Sequence, residues 1–93
     1  MSLPDTDTRL IRKPDLIASD MDGDLVMMSI DRGEYYGISG VGVRIWALLA
    51  APTSAADIAA TLAREFDVDA PTALRDSRAF LAGLLSRGLV TPC

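Results

Sequence analysis

Asp22-Gly23 stands just before the apolar run Leu25-Val26-Met27-Met28-Ser29-Ile30, and that dipeptide most restricts how this chain can fold. A two-residue type I′ turn needs positive φ at both central positions, and Asp-Gly tolerates it. The flanking segments therefore read as an antiparallel hairpin, residues 16–21 and 25–30. In the second segment Val26, Met28 and Ile30 share one face, and Leu25, Met27 and Ser29 share the other. Both faces are largely apolar, so this strand is expected at the centre of the sheet. Asp31-Arg32-Gly33 forms the next turn, read as a three-residue loop with Gly33 in the left-handed position. Residues 34–37, Glu34-Tyr35-Tyr36-Gly37, make a third strand. No later strand is evident to cover it, and an uncovered edge is either blunted or used for pairing with another chain.

The pattern then changes from period two to helical spacing. Ser39 is expected to cap a first helix carrying Val41, Ile45, Leu48 and Leu49, with Gly40 and Gly42 delaying its start to about Val43. Pro52 ends it. Thr53 or Ser54 caps a second helix, with Asp57 near its positive end and Ile58, Leu62 and Phe66 along one face. Asp67-Val68-Asp69 connects to a third helix opened by Pro71 and closed by Gly88. Leu74, Ser77, Leu81, Leu84 and Leu85 supply its apolar side, with Phe80 alongside. Leu89-Val90 either packs as a tail or adds a short strand. The expected fold is α+β and winged-helix-turn-helix-like: a three-stranded antiparallel sheet followed by three helices. Residues 1–13 are polar and proline-marked, an expected flexible arm with Leu10-Ile11 touching the body. Residues 14–91 form one domain.

Composition narrows the functional classes. The 93 residues contain no histidine and one cysteine, Cys93. That set assembles neither the usual zinc sites nor a Ser-His-Asp or Cys-His nucleophile. No cofactor and no metal are expected. Asp20-Met21-Asp22-Gly23-Asp24 has the start of a calcium loop but not its further ligands or closing glutamate, and reads as turn chemistry and edge protection. No apolar run approaches the roughly 18 residues of a membrane span. The N-terminus lacks the pattern of a secretory signal, so a cytoplasmic protein is expected. Net charge is −4. Arg75 and Arg78 lie where a helix-turn-helix protein reads DNA, but residues 57–88 carry four basic against five acidic side chains. That is a poor footprint for nucleic acid. Trp46, among Ile45, Leu48 and Leu49, reads as core. Neighbours on a strand face opposite ways. One of Tyr35 and Tyr36 is thus expected in the core and the other toward solvent or a partner.

The ordered set Asp22-Gly23, apolar strand, Gly33, Tyr35-Tyr36-Gly37 and Gly42-Val43-Arg44-Ile45-Trp46-Ala47-Leu48-Leu49 resembles the PqqD-like family. Ile58-Ala59, Leu62, Phe66-Asp67-Val68, Asp76, Phe80-Leu81, Leu84 and Gly88-Leu89-Val90 continue the likeness, which covers residues 15–91. The Tyr-Tyr-Gly strand before an Ile-Trp helix is most similar to the stand-alone proteins of lasso-peptide clusters. Departures are Ile38-Ser39, where Leu-Asn is common, and Ser77, where an apolar residue is usual. The resemblance implies a non-catalytic recognition element for ribosomally made peptide natural products. The leader segment of a precursor would add as a strand beside residues 34–37, in a groove against the third helix, and be delivered to a leader protease or another modifying enzyme. The implied contacts are Glu34, Tyr35, Tyr36 and Gly37 on the strand and Leu74, Ser77, Arg78 and Leu81 on the helix, with Arg78 meeting an acidic leader residue. For Leu74 and Leu81, plain core packing is an equal alternative. A winged-helix DNA-binding regulator is the competing reading, and a carboxylate-based enzyme a third. The free strand edge could also pair two copies, so oligomeric state stays open.

Overall fold

A computed structural model describes residues 5–14, 16–29 and 32–93. The elements in chain order are β1 (Leu10–Arg12), β2 (Leu16–Met21), β3 (Asp24–Ser29), β4 (Glu34–Ile38), α1 (Val41–Leu48), α2 (Ala55–Phe66), α3 (Ala70–Ser86) and β5 (Val90–Pro92). Strands β2, β3 and β4 form an antiparallel sheet in that order, so β3 is central, and three helices follow: the expected α+β class. Ile30 and Asp31, expected at the strand end and in the turn, lie outside the described residues, as do the first four residues of the expected arm.

The Asp22-Gly23 turn has φ of 53° and 87°, both positive. It sets Met21 opposite Asp24 and Met27 opposite Ala18. Gly33, at φ 64°, donates its N–H to the Ser29 carbonyl at 2.8 Å, closing the second hairpin with Ser29 opposite Glu34. Four residues thus separate that pair, one more than the expected loop.

The ends of the chain differ from expectation. Leu10–Arg12, placed by sequence in a loose arm, is a strand paired antiparallel with Val90–Pro92. Leu10 has no exposed surface, and its N–H donates to the Thr53 carbonyl at 2.8 Å. Of the two options for the tail, the short strand is the one formed, at Val90–Pro92, and Leu10 touches the body as expected.

Helix starts and stops follow local chemistry. The Ser54 hydroxyl accepts from the Asp57 N–H at 3.2 Å, and the Asp69 carboxylate accepts from the N–H and hydroxyl of Thr72 at 3.2 and 2.9 Å. The Thr72 hydrogen bonds hold the Asp69 carboxyl below its usual range. Past Arg87, the Leu89 N–H reaches the Leu84 carbonyl at 3.0 Å and the Gly88 N–H the Leu85 carbonyl at 3.1 Å, a Schellman closure. α1 departs from the sequence reading. Gly40, not Ser39, is its N-cap, without a side-chain bond, and the helix starts at Val41.

The core gathers Leu10, Met27, Leu49, Ile58, Leu81 and Leu89, all without exposed surface. Trp46 joins it, 4% exposed, with the Arg12 guanidinium 5.1 Å above its ring. Arg44 on α1 holds Glu65 on α2 through two bonds of 2.8 Å, fixing the helix that leaves β4. Phe66 breaks the expected face of α2. Ile58 and Leu62 are buried, but Phe66, where the chain turns at Asp67 (φ 54°), is 44% exposed.

Candidate functional site

The two-residue turn makes Met21–Asp24 a hydrogen-bonded pair, and such pairs alternate along an antiparallel ladder. In the observed register, Leu25, Met27 and Ser29 then aim their backbone groups at Ile38, Tyr36 and Glu34. Tyr35 and Gly37 consequently turn their N–H and C=O groups to the outer edge of β4. No described strand pairs with that edge. The same register decides the faces of the tyrosines. Tyr36 stands opposite the buried Met27 and packs against the core, half-buried. Tyr35 points the other way and is 73% exposed.

A groove of about 420 Å³ runs between this strand and α3. Tyr35, Tyr36, Gly37 and Ile38 form its strand side, and Ala79, Phe80, Gly83, Leu84 and Arg87 its helix side, with Leu89 at the end. Ala79, Gly83 and Arg87 recur every four residues, one stripe of the helix. The first two are small and let another backbone come close. The Arg87 guanidinium sits 5.7 Å from the Tyr36 ring centroid and donates to the Gly83 carbonyl at 3.4 Å. The Tyr36 hydroxyl is buried and has no partner among the described residues.

Of the residues expected at this site, Tyr35, Tyr36 and Gly37 line the groove, while exposed Glu34 lies just before them. The helix wall is different from the one expected. Ser77 and Leu81 have no exposed surface and belong to the core. Leu74 is half-buried against that core, and Arg78, also half-buried, is not among the lining residues. The physical reason is the turn of the helix: Gly83 stands two residues past Leu81, roughly 200° around. The apolar stripe Leu74, Ser77, Leu81 marks the side that packs inward. The groove side carries Phe80 and small residues, with Arg87 as its cationic lining residue. The small-residue spacing Ala79 to Gly83 was the available signal.

The model of the family described as coenzyme PQQ synthesis protein D (PqqD) matches residues 24–90. No curated protein matches the sequence. Two solved structures are similar throughout. One is TbiB1 in complex with the TbiA(beta) leader peptide, 31% identical, covering 86% of this chain and 93% of that one, with a TM-score of 0.79. The other is lasso peptide synthetase B1 complexed with the leader peptide, 26% identical, covering 89% and 98%, with a TM-score of 0.78.

Proposed function

The chain belongs to the PqqD family, and from that premise we propose that it recognises the leader segment of a ribosomally made precursor peptide, in a lasso-peptide pathway. The observation that carries this reading is the β4 edge, which no described strand pairs, beside a groove, in a chain similar to two proteins solved with leader peptides. The leader adds as a strand to β4. Tyr35 and Gly37 each give it one donor and one acceptor, which supplies affinity with little dependence on sequence. Alternate leader side chains enter the groove against Phe80, Gly83 and Leu84 and supply specificity. The Tyr36 hydroxyl offers a hydrogen bond there, and Arg87 favours an acidic leader residue. Glu34 borders the start of the paired segment.

The protein acts without catalysis, in the cytoplasm, and presents the bound precursor to a leader protease or another modifying enzyme. No described helix is long and apolar enough to cross a membrane.

Titration of the protein with the leader encoded beside its gene is expected to give saturable binding. Arg87→Glu is expected to weaken it about ten- to hundredfold, the worth of one charge-assisted hydrogen bond or its repulsive counterpart. Absence of saturable binding to any leader of its cluster would refute the reading. A gel shift on duplex DNA, steeply weakened by salt, would restore the regulator instead.

A further inference from the structure

A second hollow, about 360 Å³, lies at the β2 side of the sheet, across the central strand from the β4 groove. Arg12 and Lys13 line it from β1 and its end, Leu16 and Ala18 from β2, and Trp46 from α1. It shares no lining residue with the groove. Strand β1 pairs with β5 and β2 with β3, so the hollow lies between two separate sheets. Ala18 stands opposite buried Met27, on the sheet face that packs inward, and yet is exposed. The helix layer thus stops short of β2, and the hollow is the gap left there.

The polar side chains of its lining are Arg12, Lys13 and Trp46, all donors without acceptor capacity. The Arg12 guanidinium lies 5.1 Å from the Trp46 ring centroid and donates to the Ala47 carbonyl at 3.4 Å. Arg12 Nε and Trp46 Nε1 are buried and have no hydrogen-bond partner among the described residues. Neither Arg12 nor Lys13 has a carboxylate partner among them. An unpaired buried donor is costly, and two of them beside one hollow mark a place for an acceptor. In a chain of net charge −4, this is a local cationic spot.

We propose that this hollow docks a carboxylate-bearing segment of the leader protease while the leader occupies the β4 edge. The proposal rests on the leader-binding reading. The carboxylate accepts from Arg12 and from the Trp46 indole N–H, and Lys13 adds a cation beside them. Arg12 is held by one long bond, so its guanidinium can swing aside to admit the acceptor. Charge complementarity favours this occupant. Two copies of a −4 chain repel each other, and two cations are too few to hold nucleic acid. Position favours it too: delivery requires holding two partners at once, and the two hollows are separate.

The test titrates wild type, Lys13→Glu and Arg12→Met with the leader, and then, leader-saturated, with the purified protease encoded beside the gene. Leader affinity is expected to be unchanged in both variants. Arg12→Met is expected to bind the protease about thirtyfold or more weakly, the loss of one partner of a buried charge pair. Lys13→Glu is expected to lose about tenfold, and its affinity should depend less on salt than that of wild type. Should Arg12→Met melt lower than wild type, Lys13→Glu, which alters no packed ring, decides alone. Wild-type protease affinity in Lys13→Glu would overturn the proposal, as would leader-loaded wild type that binds no protease. Unchanged protease affinity with altered oligomeric state would give the hollow to a second copy. Failure of wild type to bind any leader would instead defeat the leader-binding reading itself.

Discussion

Replacing Leu81 with alanine is expected to destabilise the fold by about 2–5 kcal/mol while leaving the affinity of the folded protein for its leader unchanged. Leu81 has no exposed surface and sits in the core cluster with Ile58, Leu84 and Leu89. Truncation removes its transfer free energy and leaves a cavity that its neighbours only partly fill. In a domain of this size each kcal/mol lowers Tm by about 4–8 °C, so the midpoint should fall by at least about 8 °C. Thermal denaturation followed by circular dichroism, with a leader titration well below the midpoint, separates the two effects. A normal melt with weakened binding would return Leu81 to the groove wall.

Gly42→Val carries the second large effect, and here two simple rules oppose each other. Helix propensity favours valine over glycine inside α1, by a few tenths of a kcal/mol. Packing opposes it: the new Cβ would meet Ile38 Cγ2 at 2.8 Å and the Phe80 ring at 3.0 Å. Overpacking costs about 1–3 kcal/mol, and the valine methyls add to the crowding. Packing wins, and the variant should melt lower than wild type. Ile38 and Phe80 also line the groove, so their displacement should weaken leader binding as well. Leu81→Ala and Gly42→Val thus differ in kind: one damages the core alone, the other the core and the site together. A Gly42→Val protein as stable as wild type would refute the close approach of α1 to α3.

The sheet was legible because its signals are local. Asp22-Gly23 sets the first turn, and the pairing of β2 with β3 follows from it. Which tyrosine packs inward was not legible: it depends on the second turn, whose four residues rather than three set Met27 opposite Tyr36. The bounds of β2 and most of β4 and α3 follow from turn residues, Pro71 and Gly88. Contacts between distant segments were legible only in part: the short terminal strand was one of two options, and its pairing with β1 carries no local signal. β1 and β5 have three residues each, too few for a period, and they pair from opposite ends of the chain. The capping residue of α1 was misread because Ser39 looks like a cap, whereas Gly40 takes φ 60° and occupies the place. Phe66 continues an apolar stripe beyond the helix that would cover it. On α3 the apolar periodicity identifies the buried face, and for Leu74 and Leu81 it leaves core packing and groove lining as equal alternatives. A groove wall needs small or partly exposed residues beside it, and Ala79, Gly83 and Arg87 give no hydrophobic signal.

Amide hydrogen exchange at Tyr35 and Gly37, with and without a saturating leader peptide, tests strand addition most directly. The Tyr36 amide already belongs to the ladder with β3 and serves as the internal reference. With strand addition, the Tyr35 and Gly37 amides slow markedly in the complex. Saturated binding with both amides exchanging at their free rates would contradict it.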